Sequence, residues 1–486
     1  MGSRAGAEVG AFVGRARELA RLERMLDEVR RTGRGGFVAI RGRRRVGKSR
    51  LVDELTRRAA GPSVFYTATQ GEPVDELGRF LDAVASSDLS AAPDVRAGLR
   101  AETWESALEL AARDASAGHP PIVVIDEFPY LAEKDPAIES VLQAVWDRRL
   151  QATPVLLVLI GSDRAAMDAL SAHGRPLYDR PREMVVEPLS PADVGGLLKL
   201  PPAEALDAYA TIGGFPVLAL EWGAGRSRDD YLAEALTDPT SFLVVSGERA
   251  LAAEFQREAH ARAVLSAIGA DARVHKEIAK RTGLNATSLS RALDILDAKG
   301  VAERLTPYSA KATPRTRRYR VADPYLRFWL RFVGPHIDEI ERGRGSVVRD
   351  RLAASWPSFR GRSIEPIVSD GLERLLPDPR LPGASHIGSY WTRSGTVEVD
   401  LVGGDRRPVA DAVAFLGSIK WRDRGRFTRA DAGSLAALRA TVPGAGPGSL
   451  LVGVSRNGFE SESGLDVELG PEDVLGATSL GGRSKT

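Results

Sequence analysis

With 486 residues, 43% of them hydrophobic and 27% charged, the chain has the composition of a soluble globular protein, and its length predicts about three domains. The absence of cysteine excludes disulfides, thiolate metal sites and cysteine nucleophiles, and the small net charge of +2 conceals an uneven distribution. No stretch approaches about 18 consecutive apolar residues and the N-terminus lacks a secretory signal pattern, so we expect a cytoplasmic protein without a membrane span.

The chain begins with a polar segment that leads into the first regular elements. Residues 1–10 are small and polar, which predicts a disordered tail. Phe12-Val13-Gly14-Arg15 then precedes residues 18–30, where leucine and methionine recur on one helical face. Residues 37–40 are uniformly apolar and predict a short buried strand.

After that strand comes a segment that fits the phosphate-binding pattern G-x-x-x-x-G-K-[ST] at every specified position: Gly42, Arg43, Arg44, Arg45, Val46, Gly47, Lys48 and Ser49. It lies between a predicted strand and a predicted helix, the context in which this pattern is specific. Gly42 and Gly47 allow a tight turn whose backbone N–H groups face an anion. Lys48 is therefore expected to reach the β- and γ-phosphates of ATP, and the Ser49 hydroxyl to bind Mg²⁺.

A second strand is predicted at residues 63–67, and a mostly helical segment extends from it to residue 119. Residues 122–125 are then four consecutive apolar residues, followed by Asp126 and Glu127. Such a run suits a parallel strand that is covered on both faces and ends at the ligand-binding edge of the sheet. Together with the phosphate-binding loop, this predicts that Asp126 holds Mg²⁺ through water and that Glu127 polarises the attacking water.

Two further polar residues are candidates for the same site. Ser162 ends the predicted strand at residues 155–162 and either contacts the γ-phosphate and its water or caps the following helix. Arg180 is either an arginine finger, whose guanidinium offsets charge on the transferred phosphate, or a surface residue. The alternation of strands and helices indicates a parallel α/β sheet, and residues 190–250 are predicted to form a helical lid.

These motifs form an ordered series that resembles one family: Phe-Val-Gly-Arg, Gly-Arg-Arg-Arg-Val-Gly-Lys-Ser, Val-Ile-Asp-Glu-Phe, Gly-Ser, Pro-Leu-Tyr-Asp-Arg and Gly-Gly-Phe-Pro. Over residues 11–250 the chain is similar to the archaeal-type AAA+ ATPases related to the STAND class. The resemblance implies a five-stranded ATPase core at residues 11–189 with Ser162 in the sensor position. It also implies that Arg180 is a finger, acting within its own subunit or across an oligomer. The family usually has glycine where this chain has Asp179.

The middle of the chain is strongly basic, with 16 Lys and Arg against 7 Asp and Glu in residues 257–332, which suggests a polyanionic partner. Helices are predicted at residues 263–268, 274–282 and 286–299 and a hairpin at 301–305 and 317–321, the outline of a winged helix-turn-helix. Asn285 is the predicted N-cap of the third helix; Leu289, Leu293 and Leu296 form its inner face, and Thr287, Ser288, Ser290, Arg291 and Lys299 lie outside. Such a module contacts double-stranded DNA through that helix and a basic wing, or alternatively another protein.

Residues 345–470 predict a further α/β domain. Glu365 opens a predicted helix, Glu398 and Asp400 share one face of a strand, and Ser418 and Lys420 share one face of the next. The arrangement resembles the PD-(D/E)xK nuclease fold, a domain that this ATPase family commonly carries. The resemblance implies that Glu365 and Asp400 bind Mg²⁺ beside Lys420, but Ser418 stands where an acid is expected, which favours a degenerate nuclease. Residues 477–486 are predicted to be a polar tail.

The sequence thus predicts an α/β protein with a P-loop parallel-sheet ATPase core, a helical lid, a winged helix-turn-helix and a C-terminal α/β restriction-endonuclease-like domain. We expect it to bind and hydrolyse ATP with Mg²⁺ and to contact double-stranded DNA. An ATP-dependent nuclease in genome defence is one alternative. A nucleotide-switched regulator or scaffold is the other.

Overall fold

The computed structural model describes residues 12, 14–255, 258–310, 313 and 316–479. The predicted tail at residues 1–10 lies outside these residues, as do Arg257 and residues 480–486. The chain divides into two compact units, Met1–Pro188 and Leu189–Thr486. The first contains the predicted ATPase core, and the second contains the predicted lid, helix-turn-helix and C-terminal domain.

The first unit is an alternation of helices and strands, as predicted. Its elements are α1 (Ala16–Thr32), β1 (Gly36–Arg41), α2 (Lys48–Ala59), β2 (Ser63–Thr67), α3 (Pro73–Ala85), α4 (Ala92–Arg96), α5 (Trp104–Ala111), β3 (Ile122–Asp126), α6 (Phe128–Lys134), α7 (Ile138–Arg148), β4 (Leu156–Gly161), α8 (Arg164–Leu170) and β5 (Arg182–Val185). The strands form one parallel sheet in the order β2-β3-β4-β1-β5. Strands β3 and β4 are buried along their whole length, which explains their uninterrupted apolar sequences.

The strand order fixes which loops meet at the carboxyl edge of this sheet. Strand β4 lies between β1 and β3, with Arg41 opposite Gly161 and Ile125 opposite Leu159. Parallel strands end at the same edge, where ligands bind in open α/β sheets. The phosphate-binding loop after β1, the acids that end β3 and the serine after β4 are therefore neighbours.

The second unit begins with helices and continues into two small sheets. Its first elements are α9 (Pro191–Leu198), α10 (Pro202–Ile212), α11 (Pro216–Trp222), α12 (Arg228–Ala235), α13 (Phe242–Glu254), α14 (Ala259–Ile268), β6 (Arg273–Val274), α15 (His275–Thr282), α16 (Ala286–Ala298), β7 (Ala302–Leu305), β8 (Arg318–Val321) and α17 (Pro324–Phe332). Strands β6, β8 and β7 form an antiparallel sheet in that order. The three helices and the hairpin predicted in the basic segment are confirmed, whereas β6 was not predicted.

The remaining elements form a mixed five-stranded sheet with helices. They are α18 (Ile337–Glu341), α19 (Gly345–Leu375), β9 (His386–Trp391), β10 (Glu398–Gly404), β11 (Val413–Lys420), α20 (Arg429–Ala436), β12 (Leu450–Ser455), β13 (Val467–Leu469) and α21 (Pro471–Ser479). The order is β13-β12-β11-β10-β9, antiparallel from β9 to β11 and parallel from β11 to β13. Among the described helices of both units, none has the length and apolar composition that a membrane crossing requires.

Two sequence predictions for the second unit are wrong. Glu365 does not open a helix, because α19 continues through Pro357 and Pro366. A proline inside a helix costs about 3 kcal/mol, which the burial of the apolar side chains around Pro366 offsets here. Residues 477–479 are not part of a polar tail but of α21, because Ala477 and Thr478 are buried and the Thr478 hydroxyl accepts the Ala192 N–H at 3.1 Å.

One buried carboxylate organises the loop that follows β2. Glu76 on α3 is 1% exposed and accepts hydrogen bonds from the N–H groups of Thr69 and Gly71, each at 3.0 Å. The hydroxyls of Tyr66 and Thr69 also donate to it, and Arg79 pairs with it at 2.8 Å. Burial by itself raises the pKa of Glu76, but these hydrogen bonds outweigh it and lower the pKa to about 2.

We predict that Glu76→Gln lowers the free energy of unfolding at pH 7 by about 1–3 kcal/mol, because a neutral amide cannot accept all of these hydrogen bonds. Since the folded pKa lies below the usual value, the stabilisation is present above about pH 4.3 and lost as the pH falls towards 2. Urea unfolding at several pH values should show the variant and the wild type converging in acid. The neighbouring exposed Glu72→Gln is the control, and equal losses in both variants would contradict the prediction.

Candidate functional site

The loop between β1 and α2 uses backbone conformations that few residues adopt easily. Gly47 has φ 94° and Arg45 has φ 65°, both in the left-handed region. At Gly42, an added Cβ would lie 2.2 Å from the carbonyl oxygen of Val186, so this close approach requires glycine. The predicted phosphate-binding loop therefore has the compact turn that its glycines suggested.

Lys48 and Ser49 begin α2 and point to different parts of the site. The Lys48 ammonium donates to the carbonyl oxygens of Gly42 at 2.8 Å and Arg43 at 2.9 Å, so it lies over its own loop. The Ser49 hydroxyl donates to Asp126 Oδ2 at 2.7 Å. Burial raises the pKa of Asp126, while the hydrogen bond from Ser49 opposes this shift. The structure thus brings together the hydroxyl and the carboxylate that were predicted to hold Mg²⁺.

Glu127 and Ser162 are in direct contact. Glu127 adopts a left-handed conformation with φ 54° at the start of α6, and the Ser162 hydroxyl lies 2.6 Å from both of its carboxylate oxygens. The cap of α8 is Asp163, whose carboxylate accepts the Ala166 N–H at 2.9 Å. Ser162 is therefore not the cap of α8 but a partner of Glu127, and its contact with the γ-phosphate or the attacking water stays a prediction.

Two contacts of this loop were missed at the sequence level. The Arg15 guanidinium donates to the carbonyl oxygen of Val46 at 3.0 Å and is buried, although Arg15 was named only as part of a motif. The Tyr130 hydroxyl accepts from Arg44, whose guanidinium lies 5.9 Å from the tyrosine ring centre. The position of Tyr130 in the helix directly after Glu127 was the one available signal for this contact.

Arg180 is held by an acid of its own unit. Its Nε and Nη2 donate to the two carboxylate oxygens of Asp147 at 3.0 and 2.8 Å, and Nη1 donates to the Tyr178 carbonyl at 3.1 Å. Asp147 lies on α7, so a role of Arg180 as a finger requires release from this pair. The preceding Asp179 has φ 57°, the left-handed conformation for which glycine is best suited.

Part of the positive charge of the basic segment is exposed on α15 and α16. Asn285 caps α16 by accepting the Ser288 N–H at 2.9 Å, and Leu289, Leu293 and Leu296 are buried, as predicted. Four cations on α15 and α16 are exposed, and within the described ranges they form no ion pair: Lys276, Lys280, Arg281 and Arg291. Lys299 is instead half-buried beside Phe255 and Glu258.

Two arginines of the predicted basic wing are used in internal ion pairs, and Lys311 and Arg315 of the same hairpin lie outside the described residues. Arg318 pairs with Glu398 at 2.6 Å and stacks on Trp391 at 4.7 Å, and Arg320 pairs with Glu303 at 2.6 Å. The hairpin loop is also anchored, because the Tyr308 N–H donates to the Ser389 carbonyl at 2.8 Å. These arginines stabilise the unit by internal pairing.

The C-terminal acids do not reproduce the oxygen ligands of the first site. Burial, reinforced by Asp400 and Glu398, raises the pKa of Glu365 to about 8. Asp400 Oδ2 accepts the Ile419 N–H at 2.8 Å and the Ser418 hydroxyl at 3.2 Å, and Lys420 lies 4.0 Å from Asp431. The parts of the chain that the structure describes contain no group of three or more His, Asp or Glu arranged to hold a metal ion. A nuclease Mg²⁺ site at Glu365 and Asp400 stays a prediction.

Comparison with known proteins assigns the first unit to a broad class. Residues 11–159 match the family described as "AAA ATPase domain", and residues 329–433 match one described as "Archaea bacterial proteins of unknown function". The chain is also 25% identical over 423 residues to uncharacterized protein MJECL04 of Methanocaldococcus jannaschii, covering 85% of this chain and 88% of that protein. The chain therefore carries an AAA ATPase domain, a nucleotide-binding fold, that includes Lys48, Ser49, Asp126 and Glu127.

Two solved structures match the chain in part. The Walker-type ATPase PABY2304 of Pyrococcus abyssi is 19% identical, with a TM-score of 0.46, and the match covers 66% of this chain and 96% of that one. The Aeropyrum pernix ORC2 protein, in its ADPNP-ADP complexes, is 13% identical, with a TM-score of 0.44 and coverage of 71% and 98%.

Proposed function

We propose that the chain is a Mg²⁺-dependent ATPase whose turnover is coupled to contact with double-stranded DNA by its second unit. The observation that carries the ATPase proposal is the set of direct contacts at the edge of the first sheet. The Ser49 hydroxyl lies 2.7 Å from the Asp126 carboxylate, and the Ser162 hydroxyl lies 2.6 Å from the Glu127 carboxylate. The Lys48 ammonium lies over the phosphate-binding loop, where it contacts the Gly42 carbonyl. The AAA ATPase match over residues 11–159 supports the same function.

Each residue has a defined task in this proposal. The backbone N–H groups of residues 42–48 bind the phosphates, and Lys48 exchanges its two carbonyl contacts for phosphate oxygens. The Ser49 hydroxyl directly, and Asp126 through water, would supply the hard oxygen groups that fit Mg²⁺, which when bound neutralises phosphate charge. Glu127 takes a proton from the water that attacks the γ-phosphorus, and the bond to ADP breaks. Ser162 holds the Glu127 carboxylate until nucleotide and water arrive.

We expect Glu127→Gln to lower the ATPase kcat by about 100-fold or more while ATP still binds, because the amide keeps the shape but cannot accept a proton. Steady-state phosphate release and binding of a fluorescent ATP analogue measure the two effects separately. Glu133→Gln, an exposed change on the same helix, is the matched control. Unaltered turnover in Glu127→Gln would refute the assignment of the general base.

The proposal of DNA contact rests on helices α15 and α16 of the basic segment. Lys276, Lys280, Arg281 and Arg291 are exposed on α15 and α16, and unlike Arg318 and Arg320 they are not used in internal ion pairs of the described chain. A helix that follows a short helix and a glycine turn is the element that enters a major groove in such modules. Protein contact through the same surface is the alternative.

We expect the double variant Lys280→Ala and Arg291→Ala to bind a double-stranded oligonucleotide more weakly than the wild type. The slope of log K against the logarithm of the salt concentration should also become shallower by about two, one for each lost phosphate contact. Fluorescence anisotropy over a range of salt concentrations measures both quantities. Arg331→Ala, an exposed change on α17, is the control.

DNA should also raise the ATPase rate of the wild type but not that of the double variant. An ATPase rate that DNA does not change would instead favour the nucleotide-switched regulator or scaffold.

For the C-terminal sheet we propose a degenerate nuclease-like domain rather than an active one. Ser418 donates to Asp400 where a second acid is expected, and no further carboxylate among the described residues completes the pair. Supercoiled plasmid incubated with the protein, ATP and Mg²⁺ should therefore remain uncut. Cleavage that disappears in Asp400→Asn but persists in the nearby Asp405→Asn would reverse this proposal and establish the ATP-dependent nuclease.

A further inference from the structure

One side chain of the phosphate-binding loop reaches across the carboxyl edge of the first sheet. Arg44, between β1 and α2, has an exposed guanidinium that donates to the Tyr130 hydroxyl and lies 5.9 Å from the centre of the tyrosine ring. Tyr130 is on α6, and its N–H donates to the Glu127 carbonyl at 2.9 Å. The contact therefore joins the phosphate-binding loop to the helical turn that begins with the proposed general base.

The loop also contacts Lys48 immediately before Arg44. The Lys48 ammonium donates to the carbonyl oxygens of Gly42 at 2.8 Å and Arg43 at 2.9 Å. In the proposed ATPase, Lys48 reaches the γ-phosphate, and Glu127 activates the water that attacks it. Arg44 follows the first of these contacts in the chain, and its side chain reaches the segment that carries Glu127. Its guanidinium is thus at the end of the site that serves the γ-phosphate.

The charge of Arg44 has no carboxylate partner in the parts of the chain that the structure describes. Tyr130 offers a neutral hydroxyl and an aromatic ring, which hold a guanidinium less strongly than an anion does. Arg180 differs, since its guanidinium donates to both carboxylate oxygens of Asp147, at 2.8 and 3.0 Å. A phosphate group therefore takes Arg44 from Tyr130 without breaking an ion pair, whereas Arg180 would first have to leave Asp147.

We propose that Arg44 binds the γ-phosphate of ATP, so that it favours ATP over ADP and offsets charge on the phosphoryl group during transfer. This inference rests on the proposed ATPase function. During hydrolysis the water oxygen bonds to the γ-phosphorus and a water proton passes to Glu127, while the bond from the γ-phosphorus to the bridging oxygen breaks and leaves its electron pair on ADP. Arg44 exchanges no proton in this step. Its paired N–H groups donate to the γ-phosphoryl oxygens, whose geometry a guanidinium matches.

Nucleotide binding tests the proposal without turnover. The full chain carrying Glu127→Gln is titrated with Mg-ATP and, separately, with Mg-ADP by isothermal titration calorimetry. Adding Arg44→Met should weaken ATP binding about tenfold or more and change ADP binding less than about twofold, because ADP lacks the phosphate that Arg44 contacts. Arg24→Met, which removes an exposed arginine of α1, is the matched control and should change neither affinity.

Failure of this inference and failure of the ATPase proposal give different results. If Arg44→Met weakens ATP and ADP binding by the same factor, or changes neither, the role of Arg44 is refuted while the ATPase proposal stands. If the wild type and the Glu127→Gln protein bind neither nucleotide, the ATPase proposal fails, and the role of Arg44 fails with it.

Tyr130→Phe separates phosphate binding from a purely structural contact. This variant loses the hydroxyl that holds Arg44 in the nucleotide-free protein but keeps the guanidinium, so its preference for ATP over ADP should equal or exceed that of the wild type. A loss of this preference as large as in Arg44→Met would show that Arg44 only ties the loop to α6, and would overturn the proposal.

Steady-state phosphate release by the chain with Glu127 intact measures the role in phosphoryl transfer. Arg44→Met should lower kcat about 100-fold, because the phosphoryl charge loses a preorganised donor. Arg44→Lys keeps the charge but not the paired N–H groups, so its kcat should lie between those of Arg44→Met and the wild type. An unchanged kcat in Arg44→Met would overturn this role.

Discussion

The position of β4 between β1 and β3 is the constraint on which the nucleotide site depends. Hydrogen bonding in register along these three parallel strands places Arg41 opposite Gly161 and Ile125 opposite Leu159. The next residues of each strand then emerge at one edge, which brings Asp126 within 2.7 Å of Ser49 and Ser162 within 2.6 Å of Glu127. None of these pairs is close in sequence. The buried apolar strands therefore fix the positions of these side chains, and the loops carry the functional groups.

The second unit depends on a different interaction, a buried carboxylate shared by distant segments. Asp207 on α10 accepts Trp421 Nε1 at 2.8 Å and Arg456 Nη2 at 3.2 Å, and Arg360 Nη1 lies 3.5 Å from it. Moving α10 away from the C-terminal sheet would leave this carboxylate buried without its donors, at a cost of several kcal/mol. Leu206 and Ala210 join the same apolar core as Ile364 and Val368. The segment at residues 190–250, predicted as a lid, is thus packed with the C-terminal elements of its unit.

Local sequence patterns predicted the parts of this molecule that local physics determines. The glycines and lysine of the phosphate-binding loop, the apolar strand before Asp126 and the cap at Asn285 are each specified within a few residues. Contacts such as Arg456 with Asp207, which are 249 positions apart, leave no local signal. The continuity of α19 was missed for a related reason, since Pro357 and Pro366 favour a break and tertiary burial overrides them.

The basic middle segment shows how a charge count can mislead. Its excess of Lys and Arg suggested a polyanion-binding wing, yet ion pairs within the second unit neutralise part of that charge. Glu398, 80 positions from Arg318, pairs with it, and Glu303 pairs with Arg320 across the hairpin. What remains includes the exposed cations of α15 and α16. An exposed cation is solvated by water and needs no partner within the chain, so the side chains on α15 and α16 remain available to an anionic partner, whereas the paired arginines of the hairpin would first have to give up their carboxylates.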